Sequence, residues 1–420
     1  MSERGRLRAA ERLEVLLDPG SFENLAPEGE GVVAGRGKIN DRAVYVFAQD
    51  REQSGGVMSA AGAHAMATSE ERALRDHVPF IGLFDSRGFA SDVAVFAELR
   101  AVFERAHAAD RAPRIAVVMG SCAGADAMMA AQADFIFMIR QQASLFVTGP
   151  EVVAALGRET MDAEELGGAA VHVETSGLAD GLYDNDVEAL LQIRRLVDFL
   201  PGHERPWPIF DDPMRVEPAL DTLVPEEPTR GYDVKEAIVK FLDESDFFEF
   251  QAAHARNVVV GFGRIDGETI GLVANQPLVL AGALDGAACR KAARFVGFCG
   301  RSAIPIVNLI DVPGFVPGPV QEHAGLARAA AALVSAYVQT RAPRIGIVLR
   351  NAIGAAYLAL SVKRDVTYAW PTARIALRGG EGRSESRRPS EQASEIDVAI
   401  EPHMTRPQLV SALKAARRQP

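Results

Sequence analysis

Two stretches of very small residues have the composition for chemistry: Val117-Val118-Met119-Gly120-Ser121-Cys122-Ala123-Gly124-Ala125 and Ile347-Val348-Leu349-Arg350-Asn351-Ala352-Ile353-Gly354-Ala355-Ala356. In each, an apolar run gives way to Gly and Ala and then to a helical pattern. Ligands of open α/β sheets bind at the carboxyl ends of strands, where unpaired N–H groups at a helix start point outward with the positive end of the helix dipole. Side chains no larger than a methyl group let a substrate oxygen reach those donors. Such a turn serves as an oxyanion hole, where one well-placed donor contributes roughly 3 to 4 kcal/mol to transition-state stabilisation. Small residues also let a helix pack closely on a sheet, and one turn alone does not separate the two uses. Recurrence in both halves of the chain points to chemistry.

Three other signals carry less. Gly120-Ser121-Cys122-Ala123-Gly124 has the spacing of a nucleophile elbow with cysteine at its centre, which makes an acyl hydrolase working through Cys122 a second functional class. It needs a base, and none of the eight histidines lies in a motif that nominates one. A small buried thiol used for packing is the plainer reading. Gly31 to Ile39, GVVAGRGKI, is one residue too long for a phosphate loop and ends in Ile39 where a hydroxyl is needed. Asp85 and Asp311 end matched apolar runs and are expected to cap the turns that follow. The cysteines Cys122, Cys289 and Cys299 are widely scattered and lack metal or redox spacing, so reduced thiols, a cytoplasmic setting and no metal are expected.

The elements that position the two turns are duplicated. Gly35 to Asp50, GRGKINDRAVYVFAQD, reads like Gly261 to Gln276, GFGRIDGETIGLVANQ, and PFIGLFDSRGF from Pro79 reads like PIVNLIDVPGF from Pro305, both 226 residues on. Ala112 to Gly120 matches Ala342 to Arg350, and Gly124 aligns with Gly354. Within each half, apolar runs (Phe80 to Phe84, Ile115 to Met119, Ile306 to Ile310, Ile345 to Leu349) alternate with helical stretches at Ala94 to Ala109 and Ala324 to Gln339. Strands that are apolar throughout are buried on both faces, so the class is α/β, with parallel sheets and crossover helices. Pro201 to Pro228 is rich in proline and acid and is expected to be an extended linker; this places the domains at 1–200 and 231–420, joined by 201–230. A chain of 420 residues that is 48% hydrophobic has ample apolar area for two such cores. Its net charge of −11, without a long basic run, argues against nucleic acid. The charged start (Arg4, Arg6, Arg8, Glu11, Arg12, Glu14) leaves no apolar signal core, and no stretch of about 18 apolar residues suggests a membrane span.

Long strings give the chain a family likeness: RLEVLLDPGSF at Arg12 to Phe22, MGSCAG at Met119 to Gly124, FVTGPEVV at Phe146 to Val153, VANQPLVLAGALD at Val273 to Asp285, DVPGFVPG at Asp311 to Gly318 and YAWPTARIA at Tyr368 to Ala376. It resembles the carboxyltransferase (beta) subunit of biotin-dependent acyl-CoA carboxylases, the propionyl-CoA and acetyl-CoA carboxylase group. The resemblance implies two tandem crotonase-like domains. The first would hold the acyl-CoA and the second carboxybiotin, delivered on a separate carrier protein by a biotin carboxylase partner. The site would lie at a dimer interface in a homo-oligomer, often a hexamer. By position, Gly124 and Ala125 match the hole for the thioester enolate. Ala355 and Ala356 match the hole for the biotin ureido oxygen, while Gly88, Gly354 and Leu358 match substrate-binding positions. The departures are specific. Ala125 replaces the second glycine of a pair and is followed by Asp126. The loop after Asp85 is reduced to Ser86-Arg87-Gly88-Phe89, and a polar segment at Gly379 to Ser394 replaces a helical excursion. These leave open a biotin-independent malonyl- or methylmalonyl-CoA decarboxylase and a degenerate binding subunit.

Overall fold

The computed structural model describes residues 6–417 except 27–30, 87, 89–92, 106–111, 158–159, 203–206, 209, 226, 228–229 and 378–394. It divides between Gly202 and His203 into two compact units. The segment at Gly379 to Ser394 and most of the loop after Gly88 lie outside the described residues.

The first unit runs α1 (Ala9–Leu16), β1 (Glu23–Asn24), β2 (Val32–Ile39), β3 (Arg42–Gln49), α2 (Ala60–Asp76), β4 (Phe80–Phe84), α3 (Val95–Arg105), β5 (Arg114–Val118), β6 (Ser121–Ala123), α4 (Ala125–Ala131), β7 (Phe135–Ile139), β8 (Ser144–Phe146), α5 (Pro150–Gly157), α6 (Ala163–Gly167), β9 (Gly181–Tyr183) and α7 (Asp186–Phe199). Its main sheet has the order β1-β2-β3-β4-β5-β7-β9 and is parallel from β3 onward. β4 and β5 are buried at every residue, which is why they read as unbroken apolar runs. The start of the sheet differs from the all-parallel expectation. β2 and β3 form an antiparallel hairpin through Asn40 and Asp41, both left-handed at φ 49° and 63°, the pair of conformations a two-residue hairpin turn requires. The duplication carries this turn too, since Asp266 and Gly267 have φ 55° and 75°.

The second unit runs α8 (Val234–Phe241), β10 (Phe247–Phe250), β11 (Val258–Ile265), β12 (Glu268–Asn275), α9 (Gly286–Arg301), β13 (Ile306–Val312), α10 (Pro319–His323), α11 (Leu326–Gln339), β14 (Arg344–Ile353), α12 (Gly354–Ser361), β15 (Val366–Ala369), β16 (Arg374–Ala376), β17 (Val398–Ala399) and α13 (Thr405–Ala416). Its sheet has the order β10-β11-β12-β13-β14-β15-β17, with β16 paired to the far end of β14. α8 starts at Asp233, whose carboxylate accepts from the Lys235 N–H, and its face of Val234, Ala237, Ile238 and Phe241 is buried against Leu272, Leu309 and Ile347. Each such large apolar side chain contributes about 1.5 to 3 kcal/mol by leaving water.

The proline-rich segment expected as an extended linker holds a 3₁₀ turn at Pro218–Leu220 and is not free where it is described. Arg215 donates to the carbonyls of Lys240 (2.9 Å) and Leu242 (3.1 Å), Trp207 lies beneath the Arg264 guanidinium at 4.4 Å, and Leu220 joins the second core. Pro218 opens that turn, where its missing N–H costs nothing, and Leu220 and Val224 gain by burial, so the chain docks on the second unit.

Candidate active site

In the first unit, β5 leads through Met119 and Gly120 into β6, and Gly124 caps the start of α4. Gly120 is required by close approach, because a Cβ there would fall 1.9 Å from Asp85 Oδ1. Gly124 adopts φ 63°, ψ −122°, a conformation open to glycine, and a Cβ on it would meet nothing within 4 Å. This twist lifts the chain out of the β6–β8 pairing and into the helix. The N–H of Gly124 completes that pairing by donating to Phe146 O at 3.1 Å, so it is not available to a ligand in this conformation. The Ala125 N–H, in the first turn of α4, has no intrahelical partner, and Ala125 is part-exposed. Of the two residues expected at the first hole, Gly124 makes the turn with its N–H occupied, and Ala125 begins the helix.

The second unit repeats the arrangement more directly. β14 runs without a break to Ile353, which caps α12, and Gly354 has φ 62°, nearly the value at Gly124. Ala355 is exposed, Ala356 is fully buried and Leu358 is exposed. Gly354, Ala355 and Leu358 can thus border a ligand, whereas Ala356 can take part through its backbone alone.

The strand ends behind the two turns are tied down by matched hubs. Asp85 and Asp311 do not act as simple turn caps; each is a buried carboxylate that gathers donors from distant elements. Asp85 accepts from Arg12 Nη2 on α1 at 2.9 Å, and Arg12 Nε donates to Asp186 Oδ2, also at 2.9 Å. Asp311 accepts from the Tyr232 hydroxyl (3.0 Å), Arg350 Nε (3.1 Å), the Asn351 N–H (3.0 Å) and Asn351 Nδ2 (2.9 Å). Behind them stand Gln49 and Asn275, 226 residues apart, whose side-chain oxygens accept from the N–H groups of Asp85 (2.8 Å) and Asp311 (3.4 Å). That common offset was a readable signal for Gln49 and Asn275; Arg12 and Tyr232 had none. Next to Asp85, the Ser86 N–H donates to Ser121 O at 2.8 Å, which fastens the end of β4 beside β6. Gly88, expected to border the substrate, has φ 121° and both its backbone polar groups engaged by Ser86 Oγ.

Two titratable groups lie under the first turn. Burial pushes the Cys122 thiol well above its usual value, and a charge on Asp126 would raise it further. Cys122 is fully buried, so neither the thiolate nor access that a nucleophile needs is present. Cys122→Ala should therefore change turnover by no more than a few-fold, and a maleimide should leave Cys122 unlabelled in the folded protein; selective labelling there with loss of activity would reinstate the hydrolase. Burial also raises the Asp126 carboxyl to about 7, partly offset by the hydrogen bond from Gln49. Among the described residues no group of three His, Cys, Asp or Glu side chains is placed to hold a metal, and no helix is long and apolar enough to cross a membrane.

Residues 1–419 match the model of the carboxyl transferase domain family. The chain is 46% identical over 409 residues to the propionyl-CoA carboxylase beta chain of Cereibacter sphaeroides, covering 91% of this chain and 80% of that protein. It is 36% identical over 456 residues to the methylmalonyl-CoA decarboxylase subunit alpha of Veillonella parvula, covering 97% and 90%. Among solved structures, transcarboxylase 12S, a hexamer assembly with hydrolysed methylmalonyl-CoA bound, superposes with a TM-score of 0.94 at 34% identity, over 99% of this chain and 90% of that one.

Proposed function

The chain belongs to the carboxyl transferase domain family, and from that premise we propose how its two small-residue turns divide the work of an acyl-CoA carboxyltransferase. Its fold is the α/β arrangement of two crotonase-like domains, and its activity is that of a carboxyltransferase subunit of the propionyl-CoA carboxylase beta type. In our reading the first domain, residues 1–200, receives a short acyl-CoA such as propionyl-CoA, and the second, residues 231–420, receives carboxybiotin on a separate carrier protein. The chain works in a cytoplasmic homo-oligomer, as a hexamer like transcarboxylase 12S, alongside a biotin carboxylase. The observation that carries the reading is the matched pair of glycines, Gly124 and Gly354 at φ 63° and 62°, each starting a helix just after a strand end.

The Ala125 N–H is aimed at the thioester oxygen of the substrate. As the α-carbon loses its proton, negative charge gathers on that oxygen, and a fixed donor stabilises the enolate more than the ground-state thioester. The second turn suits the ureido oxygen of biotin, since Ala355 and Gly354 leave their backbone approachable and exposed Leu358 offers an apolar face one turn on. Carboxybiotin, when bound, would supply the carboxyl group, and the biotin it leaves behind would take up the α-proton. The chain's own task is then to bind, orient and polarise, so neither turn needs to supply a side-chain base.

The test is reconstitution. The purified chain given propionyl-CoA, bicarbonate and ATP should form no methylmalonyl-CoA, and adding a biotin carboxylase with its biotin carrier protein should start the reaction. Carboxylation by the chain alone, or none with active partners, would overturn the assignment. The coverage of the Veillonella parvula decarboxylase subunit favours one second reading, loss of carbon dioxide from methylmalonyl-CoA. Rapid carbon dioxide release from methylmalonyl-CoA in biotin-free buffer would establish it.

A further inference from the structure

Asp126 follows Ala125 and is fully buried, at a position whose counterpart after Gly354 is the equally buried Ala356. Its Oδ2 accepts from Gln49 Nε2 at 3.1 Å, while its Oδ1 has no hydrogen-bond partner among the described residues. The groups bearing on it come from three elements. β3 contributes Gln49, whose Oε1 is occupied by the Asp85 N–H. The end of β4 contributes Ser86, whose hydroxyl also holds Gly88, with Ser86 Oγ donating to Gly88 O at 2.8 Å and accepting from its N–H at 2.9 Å. β6 contributes Cys122, a thiol kept protonated by burial. None of the three is a cation. Arg12 and Arg51 face Asp85 instead, at 2.9 and 3.7 Å. The second unit is built differently, for Arg350 stands where the first has Gly120 and pairs with Asp311.

An ionised Asp126 would place an uncompensated charge in a low-dielectric interior on the residue next to Ala125, opposing any anion held at the Ala125 N–H. We propose that Asp126 is a positioning residue of the first hole: held as the neutral acid it keeps the ground behind Ala125 free of charge, and its ionisation opposes the anion the hole must hold. The inference rests on reading Ala125 as the enolate donor. Burial raises the carboxyl to about 7, so the change falls within the working range of an enzyme.

Asp126→Asn, of the same shape and uncharged, is the test, made on the full chain with two readouts. The first needs no activity. A carboxyl raised in the folded state contributes stability that is fully present below its unfolded value, near 4, and is lost as pH rises to about 7. The melting temperature of Asp126→Asn relative to wild type should therefore climb between about pH 4 and 7 and level off above. The second is turnover in the reconstituted reaction. The variant-to-wild-type ratio should rise above about pH 7, approaching tenfold per pH unit. Asp126→Ala, copying Ala356, should behave alike and serves if the asparagine variant does not fold. A ratio constant from pH 6 to 9, or no climb in relative melting temperature, overturns the proposal. If the melting difference is present but the wild type transfers no carboxyl group, the reading of Ala125 as enolate donor is what fails.

Discussion

Ala125→Pro is expected to lower turnover by about 100- to 1000-fold while leaving acyl-CoA affinity nearly unchanged. The substitution deletes one N–H and little else. Ala125 is the first residue of α4, a position where proline's fixed φ suits the helix and where the lost donor has no intrahelical partner. The residue before a proline must avoid the α region, and Gly124 at φ 63°, ψ −122° already lies outside it. The fold should survive, and the CoA nucleotide, bound away from the reacting carbonyl, should still supply most of the binding energy. Ala125→Gly keeps the donor and should stay active. The measurement is kcat and acyl-CoA Kd on a variant whose melting curve shows it folded. Undiminished kcat in a folded Ala125→Pro protein would place the hole elsewhere and remove the basis for the role of Asp126.

Arg12→Met should destabilise the chain by about 3 to 5 kcal/mol, because it keeps the side-chain volume and removes the one cation shared by two buried carboxylates. Arg12 and both its partners, Asp85 and Asp186, are almost wholly shielded from water. Asp186 retains donors in the Leu7 N–H (3.2 Å) and Gln142 Nε2 (2.8 Å), whereas among the described residues the Asp85 carboxylate is left with Arg51 at 3.7 Å. For a unit of this size 1 kcal/mol corresponds to roughly 2 to 4 °C, so the melting temperature should fall by about 6 to 20 °C. Arg12→Lys, which can keep one of the two pairs, should lose less. A loss below about 1 kcal/mol for Arg12→Met would mean that Asp85 is stabilised by other means. Since Ser86 ties the end of β4 to β6, the same variant should also reduce kcat where it still folds.

Much of the architecture is legible in the residues alone. Repeats 226 residues apart mark two related units, and unbroken apolar runs at Phe80 to Phe84 and Ile345 to Leu349 mark buried parallel strands, because a strand covered on both faces has no polar side to show. The small residues at Gly124-Ala125 and Gly354-Ala355 mark the strand-to-helix turns, since only such residues permit the left-handed step and the open approach seen there. Tertiary structure decided the rest. The Gly124 N–H is taken by Phe146, Asp85 is served by Arg12 from 73 residues away and Asp186 by the same side chain from 174, and Asp126 points inward to Gln49 rather than out to solvent. Periodicity reports which face of an element is buried, a local property repeated every turn or every second residue. Which donor meets which acceptor, and how much water each loses, depends on chain segments brought together by folding, and that pairing decides which backbone donor is occupied and which carboxyl is pushed up by burial.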